Sequence, residues 1–162
     1  MQNTKHKTGF TIAELLIVLA ITGILLAAIA VALDASIINY RENEDIFKAV
    51  NSARQALSRM TSQLRTANAV DPNRPDNECA LITADGDAIT YRYEGGDNTL
   101  YLDSNGNSYV LCDSVTAMAF TRDTATKDAV TYVKSVQISM TVQSGNVQRT
   151  LSAAAVIRRN LE

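Results

Sequence analysis

Hydrophobic and polar positions follow three rhythms along this chain, and each rhythm predicts a different element. Between Leu15 and Leu33 no charged side chain occurs, and only Thr22 and Gly23 interrupt the aliphatic run. A stretch of about 20 apolar residues is what a helix needs to cross a bilayer. Further on, apolar residues return at helical spacing. Val50, Leu57 and Leu64 recur at heptad intervals, and Phe47, Ala53, Met60 and Ala67 fill much of the same face. No proline lies between Ile12 and Asn68, and Gly23 is the only glycine there. One helix over residues 12–68 is therefore predicted, ~86 Å long at 1.5 Å per residue. Two helices broken near Asp34–Asn43 are the alternative, because Asp34, Ser36 and Asn39 interrupt the apolar pattern.

The third rhythm begins after Asp71-Pro72-Asn73-Arg74-Pro75-Asp76-Asn77, a turn-rich segment whose two prolines end the helix. Ile89, Tyr91 and Tyr93 alternate with Thr90 and Arg92, and Leu100/Leu102 and Tyr109/Leu111 repeat the period of two. Asp85-Gly86, Gly95-Gly96 and Asn105-Gly106 supply turns between short antiparallel strands. The clearest strand is Ser135–Gln143, with Val136, Ile138, Met140 and Val142 on one face. Ser144-Gly145-Asn146 turns the chain into a returning strand carrying Val147, Leu151, Ala153, Ala155 and Ile157. Such a sheet is apolar on one face and needs cover, which the stripe of Phe47, Val50, Leu57 and Leu64 supplies. The predicted class is α+β: a long N-terminal helix, its second half packed on a C-terminal antiparallel sheet.

Composition narrows the chemistry. The 162 residues carry a net charge of −2, and Arg158-Arg159 is an isolated basic pair. Direct nucleic-acid binding, which calls for clustered Lys and Arg, is not expected. His6 is the only histidine, so a histidine-based catalytic or metal centre within one chain is excluded. No nucleophile–base pair stands out, and no cofactor is implied. Asp103-Ser104-Asn105-Gly106-Asn107 has the oxygen spacing of a calcium loop, but Ser108 and Ser114 stand where that loop needs glycine and glutamate. A hairpin turn is the better reading, and no metal site is assigned. The tyrosines 91, 93, 101 and 109 fit sheet packing better than an exposed binding patch.

The N-terminus holds the most specific signal. Residues 1–9 are polar and weakly basic, with Lys5 and Lys7, which places this end on the cytoplasmic side of a membrane and the remainder across it. A secretory signal peptide fits less well, since no small-residue cleavage site with a polar mature start closes the run. Glu14 sits at the edge of the apolar block, where a carboxylate is costly and marks function or a partner. If the second half lies outside the cytoplasm, Cys79 and Cys112 are in a compartment that permits a disulfide between them, worth about 4 kcal/mol by chain-entropy arithmetic.

Gly9-Phe10-Thr11-Ile12-Ala13-Glu14-Leu15-Leu16 resembles the prepilin processing signal of type IV pilins and type II secretion pseudopilins. The basic leader, the Gly-Phe junction, the glutamate spacing and the apolar run coincide. The resemblance implies cleavage between Gly9 and Phe10 by a prepilin peptidase, N-methylation of Phe10, and an assembly role for Glu14. It also implies partners: the peptidase, other pilins or pseudopilins through helix packing, and an inner-membrane assembly platform. The expected organisation is a cytoplasmic leader over 1–9, a transmembrane and filament-core helix over 10–34, its amphipathic continuation over 35–70, and an extracytoplasmic antiparallel domain over 71–162. The expected location is a single-pass inner-membrane protein, then a filament. Several short strands and a long terminal hairpin are similar to those of minor pilins or minor pseudopilins. A filament-borne module for adhesion or DNA uptake is the alternative function.

Overall fold

The computed structural model describes Gly9 and residues 11–158. Two compact units make up the chain, Met1–Arg41 and Glu42–Glu162. Helix α1 runs Ile12–Thr66, and residues 34–43 are helical throughout. In the first unit every described residue is exposed, including Ile12, Leu19, Ile24 and Val31. An aliphatic helix with no cover of its own is built for an apolar surrounding. The one hydroxyl between Leu15 and Leu33, that of Thr22, donates to the carbonyl of Val18 at 2.7 Å and so needs no water.

In the second unit α1 becomes amphipathic. Glu44 and Lys48 pair at 2.8 Å on the exposed side, one turn apart. Ala49, Ala53, Ala56, Leu57, Met60 and Leu64 form the buried stripe, and Ala67 extends it. Phe47 is not part of it: 68% exposed, it corrects the expected core face. At 3.6 residues per turn Phe47 lies about 140° around the axis from Met60, whereas Ala49, Ala53 and Leu64 lie within about 40°.

Eight strands follow: β1 (Ala69–Val70), β2 (Glu78–Ile82), β3 (Ala88–Glu94), β4 (Thr99–Ser104), β5 (Asn107–Cys112), β6 (Val115–Lys127), β7 (Val130–Ser144) and β8 (Val147–Val156). They form two antiparallel meanders rather than one sheet. Sheet A has the order β1-β2-β3-β4-β5, and sheet B the order β6-β7-β8. The chain leaves sheet A at Ser114, which takes a left-handed φ of 59°. The amide of Val115 then donates to the carbonyl of Asn98 at 2.8 Å, and the amide of Gln143 to that of Ser114 at 2.9 Å.

Both sheets contribute to one core. Sheet A contributes Cys79, Leu81, Ile89, Tyr91, Leu100 and Leu102, and sheet B contributes Phe120, Val136, Ile138, Met140 and Val142. Register keeps them on one face: Tyr91 lies between Cys79 and Leu102, and Ile138 between Phe120 and Ala153. The helix stripe belongs to the same cluster, giving an α+β, pilin-like arrangement of helix on antiparallel sheet. Strand β6 was not legible in the sequence. A register shift between Val115 and Ala117 breaks its period of two, and its second half, Thr121–Lys127, is largely polar and exposed.

Candidate functional site

The N-terminal end of α1 is organised by residues two and five positions beyond Gly9. Thr11 precedes the first helical residue. The amide of Glu14 donates to Thr11 Oγ1 at 3.2 Å, and the amide of Thr11 donates to Glu14 Oε2 at 3.0 Å. Thr11 Oγ1 also donates to the same carboxylate oxygen at 3.0 Å. This is a capping box, which satisfies helix-end amides reciprocally. The signal was available in the sequence as Thr11-x-x-Glu14 ahead of an apolar run. Both bonds to the Glu14 carboxylate use Oε2; Oε1 of Glu14 takes part in no hydrogen bond among the described residues. Gly9 lies just before this cap. Phe10, Lys5 and Lys7 fall outside the described residues.

Cys79 and Cys112 are both buried and both free, which corrects the expected disulfide. Cys79 is on β2 and Cys112 on β5, with β3 and β4 between them. Three strand-to-strand steps come to roughly 14 Å, about twice the largest Cα separation a disulfide spans. Burial pushes the Cys79 thiol up to about 11, opposed in part by Arg122, and burial with the adjacent Asp113 does the same to Cys112. Protonated, buried thiols are inert. Native protein is therefore expected to resist an alkylating reagent and to take up two labels per chain once denatured without reductant. Labelling that requires a reductant would restore the bridge.

The Asp103–Asn107 segment is a hairpin turn between β4 and β5. Asn105 and Gly106 both take left-handed φ values, 50° and 78°, the geometry for which Asn-Gly is preferred. The Asp103 carboxylate is engaged, accepting from Arg92 Nε at 3.0 Å and from the hydroxyl of Ser108. Burial raises its pKa, but those hydrogen bonds and the Arg92 charge outweigh burial and leave it below the usual carboxylate value. Arg92 also lies over the ring of Tyr101 at 5.1 Å. The tyrosines divide: Tyr91 is in the core with its hydroxyl on Gln63, Tyr93 packs against the core, and Tyr109 is exposed.

One residue not singled out from the sequence organises the loop between β1 and β2. Arg122 on β6 is nearly buried, at 6% side-chain exposure. It donates to the carbonyls of Arg74 at 3.0 Å and Pro75 at 3.2 Å, and to that of Glu78. Its Nε is buried without a hydrogen-bond partner among the described residues. The amide of Phe120 donates to the carbonyl of Asp76 at 2.8 Å, so the loop is held to β6 at successive positions.

No curated protein and no solved structure matches the chain. Residues 4–30 match the family model described as the prokaryotic N-terminal methylation motif. The matched segment contains the Gly9 junction, the Thr11–Glu14 cap and most of the uncovered aliphatic stretch, whose mean hydropathy reaches 3.0. Motif and apolar helix together support anchoring in a membrane. The chain carries a class III, prepilin-type signal at the head of a long apolar helix.

Proposed function

We propose that the chain is a structural rather than catalytic protein, a minor subunit of a type IV pilus or of a type II secretion pseudopilus. The observation that carries this reading is the methylation motif at the head of an aliphatic helix whose described residues are all exposed over the apolar stretch. A prepilin peptidase removes residues 1–9 and methylates Phe10. Residues 10–34 hold the protein in the inner membrane and later pack among the same segments of other pilins in the filament core. The basic leader keeps the N-terminus cytoplasmic. The segment 35–70 continues the helix, and the domain over 71–162 lies on the far side of the membrane. The extended β6-β7-β8 meander supports the minor-subunit subtype.

Cleavage supplies a cationic amine at Phe10, and Glu14 of a neighbouring subunit supplies the countercharge. A carboxylate among apolar helices is expensive alone and much less so when paired and hydrogen-bonded. The cap uses only Oε2 of Glu14, so the pairing does not require the helix start to be given up.

Mass spectrometry of protein extracted from membranes tests the reading. The expected chain begins at Phe10 and is heavier by one methyl group. An intact Met1 start in cells that hold an active prepilin peptidase, or cleavage near Ala30, would overturn it.

A further inference from the structure

Arg74 bridges Asp71 and Glu78, and Arg92 bridges Glu94 and Asp103. Arg65 and Arg158 are placed differently. Together they line a shallow depression of about 260 Å³ with Ser58, Thr61, Ser62 and Thr66, and no acidic residue lines it. Neither arginine is ion-paired among the described residues. Each follows a fully buried residue, Leu64 in α1 and Ile157 after β8, so each side chain leaves from anchored backbone. The amide of Ile157 donates to the carbonyl of Lys134, inside β7, at 2.9 Å.

Ser58, Ser62 and Arg65 succeed one another along one face of α1, at the spacing that makes helical side chains neighbours. The hydroxyls of Thr61 and Thr66 are committed to helix carbonyls. Those of Ser58 and Ser62 make no hydrogen bond among the described residues and stand available as donors. The carbonyl end of α1 offsets part of the positive charge, since Arg65 is in its last turn. A helix C-terminus carries about half a negative charge, so the two guanidinium groups keep a surplus of about 1.5 positive charges. A phosphate monoester carries about 1.5 to 2 negative charges at neutral pH and matches that surplus. A carboxylate or a phosphodiester, with a single charge, leaves part of it uncompensated. Three terminal oxygens also suit planar guanidinium forks and hydroxyl donors.

We infer that this depression is a binding site for a terminal phosphate group, Arg65 and Arg158 taking its oxygens and the Ser58 and Ser62 hydroxyls donating to them. The same chemistry is offered by free phosphate and by the monoester headgroup of a lipid. All the lining residues belong to the second unit. The site therefore needs neither leader cleavage nor a second copy of the chain, and it stands or falls apart from the filament reading.

The test is calorimetric titration of the full chain, in a neutral detergent, with glycerol 3-phosphate and with inorganic phosphate. Wild type is expected to bind saturably at a single site. Arg65→Gln and Arg158→Gln should each weaken binding about tenfold, the loss expected when a charged hydrogen-bond donor is removed. Arg149→Gln, on β8 and outside the depression, should bind as wild type does. All three side chains are exposed, so the variants keep the fold, and unchanged thermal midpoints check it. Dimethyl phosphate, a singly charged diester like the links of a nucleic-acid backbone, should bind more weakly than glycerol 3-phosphate by about tenfold. Tighter binding of glycerol 3-phosphate than of inorganic phosphate upholds the site with a headgroup as its source. Binding of inorganic phosphate as tight or tighter upholds it with the free ion. No saturable binding by wild type, binding indifferent to both arginine substitutions, or dimethyl phosphate bound as well as the monoester would overturn it.

Discussion

Exchange of Glu14 for Gln is expected to reduce entry of the chain into sheared filaments by about tenfold or more, at unchanged leader cleavage and membrane level. The capping box makes this substitution unusually clean. Glutamine serves at the third helical position as well as glutamate, so the Thr11 amide keeps its acceptor and the helix keeps its start. Insertion into the membrane becomes easier, since the cost of the charge falls. What is lost is attraction for the amine of the adjacent subunit. Close charge pairs at interfaces couple by about 1.5 kcal/mol or more, and 1.4 kcal/mol is a factor of ten. Glu14→Ala provides the contrast, because it removes cap and charge together, adding a capping loss of about 1 kcal/mol. The measurement is the ratio of sheared to membrane-bound protein for wild type and both variants. Equal incorporation of the Gln variant rejects the pairing, and failed cleavage would move the role of Glu14 to peptidase recognition.

Loss of the Arg122 guanidinium is expected to destabilise the second unit by about 3 kcal/mol. Hydrogen bonds to a charged group contribute about 1.5–3 kcal/mol each, and a buried acceptor left without its donor costs about 1–3 kcal/mol. Arg122→Met keeps the volume and removes the donors to the carbonyls of Arg74, Pro75 and Glu78. The carbonyls of Arg74 and Pro75 belong to the loop joining β1 to β2, and that of Glu78 opens β2, so this loop should open first and become the preferred site of limited proteolysis. Thermal unfolding of the full chain in detergent, followed by near-ultraviolet circular dichroism, should show a midpoint lower by roughly 10 °C. Arg149→Met on exposed β8 should stay within about 0.5 kcal/mol of wild type. A wild-type midpoint and wild-type proteolysis for Arg122→Met would show that the loop is held by its own contacts, such as the Arg74–Glu78 pair at 3.2 Å.

Features set by neighbours in sequence were legible without the fold. The aliphatic run of α1, the alternation of Val136, Ile138, Met140 and Val142 and the Asn105-Gly106 turn depend on local spacing and backbone preference. Each stands in the structure where the pattern puts it. The Thr11–Glu14 cap was equally local and could have been read. Tertiary structure decided the rest. Whether Phe47 joins the core depends on which arc of the helix meets the sheets, and that arc is centred on Met60 and Leu64. Whether two cysteines meet depends on strand order, and β3 and β4 keep Cys79 from Cys112. The burial of Arg122 follows from a loop more than forty residues earlier folding over β6. Spacing along the chain specifies which side chains share a face; only the packed sheets specify which faces, ends and charges meet.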